Sequence, residues 1–159
     1  MGLVLKGGAN RGSYEAGVIY ALVRNLPADE VKYDVISGVS VGALNAAHIS
    51  TYPIGSEIQM SEELINMWTD LTSGNLYQSW NWMGMAYGLL FKQGLYDSSP
   101  LHEYIENYFS NRTVYRLVHF NSVDAITGEI VTFDETVDRE TFVTGLCAST
   151  AVPFVFPPV

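Results

Sequence analysis

An order of apolar run, glycine turn and helical pattern occurs twice within residues 1–50 and constrains the fold more than any other feature. Leu3-Val4-Leu5 leads into Gly7-Gly8, and the apolar residues of 13–23 then recur at helical spacing. Residues 33–36 form a second apolar run that leads to Gly38, and the Ala-rich residues 41–50 are predicted to be helical. This β-α-β-α order favours an α/β fold with a parallel sheet and helices packed on its faces.

The rest of the sequence gives weaker signals of secondary structure. Ser61, followed closely by two glutamates, is predicted to cap the start of a helix that runs toward Trp68. The other predicted elements are a helix over residues 100–109, two strands over 114–124 and 129–133 joined by a tight turn, and a helix over 139–148. Because the chain has 159 residues and no linker-like segment, we expect a single domain over residues 1–159.

Charge and cysteine usage exclude several classes of partner and setting. Seventeen acidic and eight basic side chains give a net charge of -9, which argues against a nucleic-acid partner and against a polybasic membrane anchor. The single Cys147 cannot form an internal disulfide, and no signal-peptide pattern is found, so we expect a cytoplasmic protein. The longest apolar run, residues 82–91, is about half as long as a membrane-spanning helix needs, so any membrane contact is expected to be peripheral.

Gly38-Val39-Ser40-Val41-Gly42 has the G-x-S-x-G pattern of a nucleophilic serine turn. A nucleophilic serine has to be presented on a sharp turn, and small residues two before and two after it let the strand and the helix close around that turn. The pattern lies between a predicted strand and a predicted helix, which is the context that the motif requires. The alternative is a glycine-rich turn in which the serine only caps the helix.

The first glycine turn, Gly7-Gly8-Ala9-Asn10-Arg11-Gly12, also lies between a strand and a helix. Unpaired backbone N–H groups and the helix dipole stabilise negative charge at such a place, so the turn is a candidate oxyanion hole. A nucleotide-binding turn is the rival interpretation. A dinucleotide fingerprint needs Gly where Ala9 stands, and a phosphate loop needs Lys followed by Ser or Thr where the chain has Ser13-Tyr14.

Four segments, in family order, resemble landmarks of the patatin-like phospholipase family. They are residues 3–18 (LVLKGGANRGSYEAGV), the glycine-rich opening; 37–46 (SGVSVGALNA), the nucleophile turn; 94–101 (GLYDSSPL); and 148–159 (ASTAVPFVFPPV). The resemblance spans the chain. It implies a three-layer sandwich with a central, mostly parallel sheet, incomplete at the C-terminus, and a lipid acyl hydrolase of phospholipase A or esterase type that needs no metal or cofactor. A lipid or phospholipid ester is the implied substrate.

The resemblance also implies a mechanism based on a Ser-Asp dyad. Ser40 would attack an ester carbonyl and form an acyl-enzyme, with a carboxylate taking the serine proton directly. The backbone amides of Gly7, Gly8 and Ala9 would hold the oxyanion, and the remaining residues of the loop would complete it. Ala9 departs from the usual third glycine. It keeps the N–H group but tolerates positive φ poorly, which bears on the conformation of the loop rather than on the number of donors.

The aspartate of the family belongs to a D-G-G or D-G-A motif, and these 159 residues contain no such motif. Asp124 and Asp134 lie on the predicted strand pair and are not followed by glycine, and Asp97 is interpreted as a turn or capping residue. Two explanations stay open: a fragment that ends before the aspartate segment, which we favour, or a short relative that binds lipid or acts as a scaffold without hydrolysis. The 159 residues alone are therefore expected to be inactive.

The three histidines do not supply an ordinary triad. His48 lies eight residues beyond Ser40 on the same predicted helix, about 12 Å along its axis. His102 and His119 are interpreted as surface or core residues. The aromatic and Met-rich residues 77–91 either line an acyl pocket or contact a lipid interface, or they simply pack in the core.

Overall fold

Four strands form one sheet in the computed structural model, which describes residues 1–71, 76–80, 87–88 and 92–159. The strands are β1 (Gly2–Leu5), β2 (Val35–Val39), β3 (Leu117–Val123) and β4 (Ile130–Asp134), and they lie side by side in that order. β1, β2 and β3 are parallel, whereas β4 pairs with β3 in the antiparallel direction. The predicted α/β class with a mostly parallel sheet is confirmed.

Five helices accompany the sheet among the described residues. They are α1 (Gly12–Asn25), α2 (Val41–Ser50), α3 (Glu57–Asp70), α4 (Ser99–Phe109) and α5 (Arg139–Thr150). Each helix predicted from the sequence is present. The predicted start of α3 at Ser61 is wrong, because Ser61 is buried inside that helix and its hydroxyl donates to the carbonyl oxygen of Ile58 at 2.9 Å. A serine in a helix interior can bond to a preceding carbonyl in this way, so Ser followed by Glu does not by itself mark a helix start.

A buried arginine just before β3 binds the chain just before β2. The guanidinium of Arg116 donates hydrogen bonds, 2.7 to 3.1 Å long, to the carbonyl oxygens of Tyr33, Tyr52 and Pro53. β2 begins at Val35 rather than at residue 33, and β3 begins at Leu117 rather than at residue 114. Just before β3, the backbone N–H of Tyr115 donates to the carbonyl oxygen of Ser50 at 2.7 Å instead of to a neighbouring strand. The antiparallel strand pair predicted around the tight turn is confirmed.

The two faces of the sheet differ in what covers them. α2 and α5 pack on the face that carries Ile36, Val118 and Phe120, all of which are completely buried. The ring of Phe120 meets the ring of Phe142 from α5 edge to face, with centroids 5.0 Å apart. The opposite face carries exposed apolar side chains, among them Val4 at 81% exposure. β1 and β2 are neighbours and both contact α2, and the glycine-rich loop and the Ser40 turn follow directly from the ends of these two strands.

Part of the aromatic segment lies outside the described residues. Of residues 77–91, positions 81–86 and 89–91 are not described, so the acyl-pocket hypothesis for this stretch falls largely outside the structure. The described members pack on neighbouring chain segments: the Tyr77 ring lies 4.9 Å from that of Tyr96, and the indole N–H of Trp80 donates to the carbonyl oxygen of Gly94 at 2.9 Å. Within the described ranges, none of the helices has the length and hydropathy to cross a membrane.

Candidate active site

Ser40 lies on a strained turn between β2 and α2. Its φ of 57° and ψ of -128° are unusual for a residue with a side chain, and such strain is often found at functional sites. A Cβ atom at position 38 would lie 2.2 Å from the carbonyl oxygen of Gly42, and one at position 42 would lie 2.5 Å from the carbonyl oxygen of Leu5. Both glycines of the pattern are therefore required by close backbone approach.

The side chain of Ser40 does not act as a helix cap. Ser40 occupies the N-cap position of α2, but its hydroxyl accepts no capping hydrogen bond. Within the described part of the chain, no hydrogen bond engages Oγ of this residue, which is partly exposed. The capping alternative is therefore not supported by the geometry, and the hydroxyl is accessible for chemistry. Val39 is the last residue of β2, and Val41 is the first of α2.

A serine that the sequence analysis left without a role supports this turn. The backbone N–H of Ser40 donates to Oγ of Ser149 at 2.9 Å, and that hydroxyl donates to the carbonyl oxygen of Asn121 at 2.7 Å. Ser149 lies in the last turn of α5, and Asn121 lies on β3. The turn is thus tied to two other elements. Only its place in a family landmark pointed to Ser149, because it is 109 residues away from Ser40.

The glycine-rich loop lies against Ser40. A Cβ atom at position 7 would lie 3.1 Å from Cβ of Ser40 and 3.8 Å from its Oγ, so glycine keeps this approach open. Residues Ala9–Arg11 form a single 3-10 turn, in which the N–H of Arg11 donates to the carbonyl oxygen of Gly8 at 3.0 Å. The loop and the serine turn, which the sequence placed after separate strands, are therefore brought together.

Ala9 adopts a positive φ, the backbone conformation that glycine tolerates better than alanine. Its φ is 51°, in the left-handed region, and the residue is exposed. Asn10 is also exposed, and its carbonyl oxygen accepts a hydrogen bond from the hydroxyl of Ser13 at 2.7 Å. At the end of the loop, a Cβ atom on Gly12 would lie 2.3 Å from the indole ring of Trp68. The loop thus rests on an aromatic ring of α3.

The acidic residues considered for the general base all stabilise local turns. Asp97 accepts hydrogen bonds from the backbone N–H and the hydroxyl of Ser99, at 3.0 and 2.6 Å, which confirms the turn role expected for it. Asp124 accepts from two backbone N–H groups of the turn after β3, and Asp134 binds the N–H and hydroxyl of Thr136. These bonds hold the pKa of Asp124 and of Asp134 below the usual range.

The three histidines differ in burial: His48 is buried, His102 is partly buried and His119 is exposed. His48 is completely buried, with Nε2 3.0 Å from the carbonyl oxygen of Met60 and Nδ1 2.7 Å from the hydroxyl of Tyr108. A carbonyl only accepts, so Nε2 carries the proton and Nδ1 accepts from the tyrosine. Burial lowers the pKa of His48 to about 4, which keeps the ring neutral. His102 is partly buried on α4, and His119 is exposed on β3 opposite Asp134.

No cluster of His, Cys, Asp and Glu suited to a metal ion is present in the described ranges. Cys147 is buried, and burial raises the pKa of its thiol to about 11.

In comparisons with known proteins, a family model described as patatin-like phospholipase matches residues 3–159. No curated protein matches the chain. The matched range includes the glycine-rich loop, the Ser40 turn and Ser149.

Proposed function

The chain belongs to the patatin-like phospholipase family, a family of lipid acyl hydrolases, and on that premise we propose that Ser40 is the nucleophile of a serine esterase or phospholipase A. The observation that carries the proposal is the approach of the glycine-rich loop to Ser40, where a Cβ atom on Gly7 would lie 3.8 Å from the hydroxyl oxygen. A reactive hydroxyl on a strained turn and a loop rich in backbone N–H groups are the two parts that acyl transfer needs.

The proposed reaction has two steps. Oγ of Ser40 attacks the ester carbonyl carbon while its proton passes to a carboxylate, and the backbone N–H groups of Gly7, Gly8 and Ala9 stabilise the resulting oxyanion. The tetrahedral intermediate then releases the alcohol, which takes the proton, and leaves an acyl group on Ser40. A water molecule, deprotonated by the same carboxylate, attacks the acyl-enzyme, releases the fatty acid and restores the serine.

The carboxylate of the proposed Ser-Asp dyad is not assigned within residues 1–159. None of the seven aspartates in the sequence is followed by glycine, and Asp97, Asp124 and Asp134 stabilise turns. Residues 1–159 are proposed to form part of one patatin-like domain. Because the carboxylate is not assigned, we expect these residues, expressed alone, to hydrolyse p-nitrophenyl esters weakly or not at all. The same observation favours the second candidate, a relative that binds lipid or serves as a scaffold without hydrolysing it.

Exposed apolar side chains beside the loop support the proposed lipid partner. Tyr14 is 74% exposed and Val18 is 39% exposed, and both lie on one side of α1 just after the loop. An exposed aromatic ring suits the region between lipid headgroups and acyl chains. The net charge of -9 favours neutral or zwitterionic lipid over anionic lipid, and it disfavours nucleic acid. A cytoplasmic protein that contacts membranes peripherally is part of this proposal.

A fluorophosphonate probe tests the proposal in the full-length protein, by which we mean residues 1–159 together with the segment proposed to carry the dyad aspartate. We expect labelling of the wild type, loss of labelling in Ser40→Ala, and retained labelling in the matched control Ser37→Ala, which removes a hydroxyl from β2, the strand that leads to Ser40. Labelling that persists in Ser40→Ala would contradict the assignment of the nucleophile. A wild type that takes up no probe while still binding lipid vesicles would instead support the non-catalytic candidate.

A further inference from the structure

A buried amide on α2 joins the end of the glycine-rich loop to α1 and α3. Asn45 is completely buried, and its Nδ2 donates to the carbonyl oxygen of Gly12 at 3.0 Å and to Oε2 of Glu15 at 3.2 Å. Its Oδ1 accepts from the indole N–H of Trp68 at 2.7 Å. Both N–H donors and the carbonyl oxygen of the amide are therefore used.

The other oxygen of Glu15 reaches the opposite end of the loop. Oε1 accepts a hydrogen bond from the backbone N–H of Lys6 at 3.0 Å, and Lys6 is the residue just before Gly7. One carboxylate and one amide thus bind the residue that precedes the loop and the residue that ends it. Asn45 lies on α2, the helix that begins next to Ser40. Both ends of the loop are therefore connected by hydrogen bonds to that helix, one end directly and the other through Glu15.

The stability of the fold does not by itself explain why an asparagine occupies position 45 and a glutamate position 15. Burying an amide costs free energy unless each polar atom finds a partner, and an aliphatic side chain would fill a packed helix face without that cost. Glu15 also lies in the first turn of α1, where a carboxylate complements the helix dipole. The dipole does not require a bond to Lys6, however, because any acidic side chain in that turn would serve.

We propose that Glu15 and Asn45 are positioning residues that fix the glycine-rich loop at the distance from Ser40 at which its N–H groups meet the developing oxyanion. This inference rests on the proposed function of Ser40. Neither side chain touches the substrate. Their contribution is to the placement of donors that act in the transition state, where an error of about 1 Å can cost roughly 100-fold in rate.

The experiment uses the full-length protein with Glu15→Ala, Glu15→Gln and Asn45→Ala, and with Glu103→Ala as a control that removes an exposed carboxylate from α4. Glu15→Gln keeps an oxygen for the N–H of Lys6 and loses only the bond from Asn45. The readouts are kcat and KM for a soluble ester, normalised by active-site titration, and the affinity for a trifluoromethyl ketone, whose adduct carries an oxyanion.

We expect kcat per competent site to fall about 10- to 100-fold in Glu15→Ala and Asn45→Ala, with KM within about twofold of the wild type. Binding of the ketone should weaken in parallel, Glu15→Gln should lie between, and Glu103→Ala should behave as the wild type. A merely structural role would lower the number of titratable sites and the melting temperature but leave kcat per site unchanged, and that result overturns the inference.

The two proposals fail in different ways. If the wild type reacts with the fluorophosphonate at Ser40 while Glu15→Gln and Glu15→Ala react at the wild-type rate, the positioning role is wrong and the nucleophile stands. If the wild-type protein does not react at Ser40, the proposed function is wrong and the positioning role falls with it.

Discussion

The substitution Gly38→Ala tests the steric basis of the serine turn with a single methyl group. The added Cβ atom would lie 2.2 Å from the carbonyl oxygen of Gly42, 2.4 Å from its carbonyl carbon and 2.7 Å from the backbone nitrogen of Ala43. All three are backbone atoms of the helix that begins beside Ser40, so no flexible side chain can move away to relieve the contact. The turn itself has to open.

The size of the effect follows from these distances. To bring the closest contact out to 3.0 Å, the strand and the helix have to separate by about 0.8 Å. Overpacking of this kind costs about 1–3 kcal/mol of stability, which for a chain of this length lowers the melting temperature by roughly 2–12 °C. A displacement of the nucleophile close to 1 Å costs on the order of 100-fold in rate. The kinetic loss should therefore exceed what the lost stability explains.

The assay compares Gly38→Ala with Gly17→Ala in the full-length protein. A Cβ atom at position 17 would have no atom within 4 Å, and Gly17 lies inside α1, so alanine there should stabilise the protein by about 0.5–1 kcal/mol. The rate of fluorophosphonate labelling and the melting temperature are measured for both. If Gly38→Ala labels within threefold of the wild type and melts at the same temperature, the steric account of the turn is refuted.

Two further predictions concern the support of the turn and the buried histidine. Ser149→Ala removes the acceptor for the N–H of Ser40, so we expect roughly tenfold slower fluorophosphonate labelling and a free energy of unfolding lower by about 1–3 kcal/mol. Ser110→Ala, which removes a hydroxyl at the C-terminal end of α4, is the control, and equal labelling rates in the two variants would argue against a supporting role for Ser149. The pKa of His48 is lowered to about 4 by burial, so between that value and about 6.5 the unfolded chain binds a proton that the folded protein does not. The stability from neutral His48 is complete above pH 6.5 and is lost as the pH falls toward 4, by about 2 kcal/mol at pH 5. Urea unfolding at pH 7.5 and pH 5 should show a smaller difference in His48→Gln, and an unchanged difference would contradict the assignment.

Local patterns were enough to predict both turns of the candidate site. Apolar periodicity and glycine position are properties of neighbouring residues, so β1 with its loop and β2 with the Ser40 turn were readable from the sequence. The start of α3 was not, because a serine bonds to the backbone both at a helix start and inside a helix, and Ser61 does the latter. A serine followed by glutamates is therefore compatible with both positions and does not locate the start of a helix.

The supporting contacts of the site had no sequence signal of their own. Asn45 binds Glu15 across 30 residues and Trp68 across 23, and each partner lies on a different helix. Nothing in the spacing of an Asn, a Glu and a Trp predicts that their side chains meet, because the meeting is produced by the packing of helices on each other. Sequence therefore predicted the groups proposed to react and missed the groups proposed to hold them.

The adjacency of β1 and β2 separates the geometry of the site from the turn that connects the end of α1 to β2. The parallel pairing of Leu5 with Gly38 places the loop and the serine turn side by side, whatever the route of the chain after α1. Residues 24–30, where that route turns, are all exposed. Extra residues inserted there would lengthen the connection while leaving the nucleophile in place, which makes this turn the natural position for an engineered tag or a reporter domain.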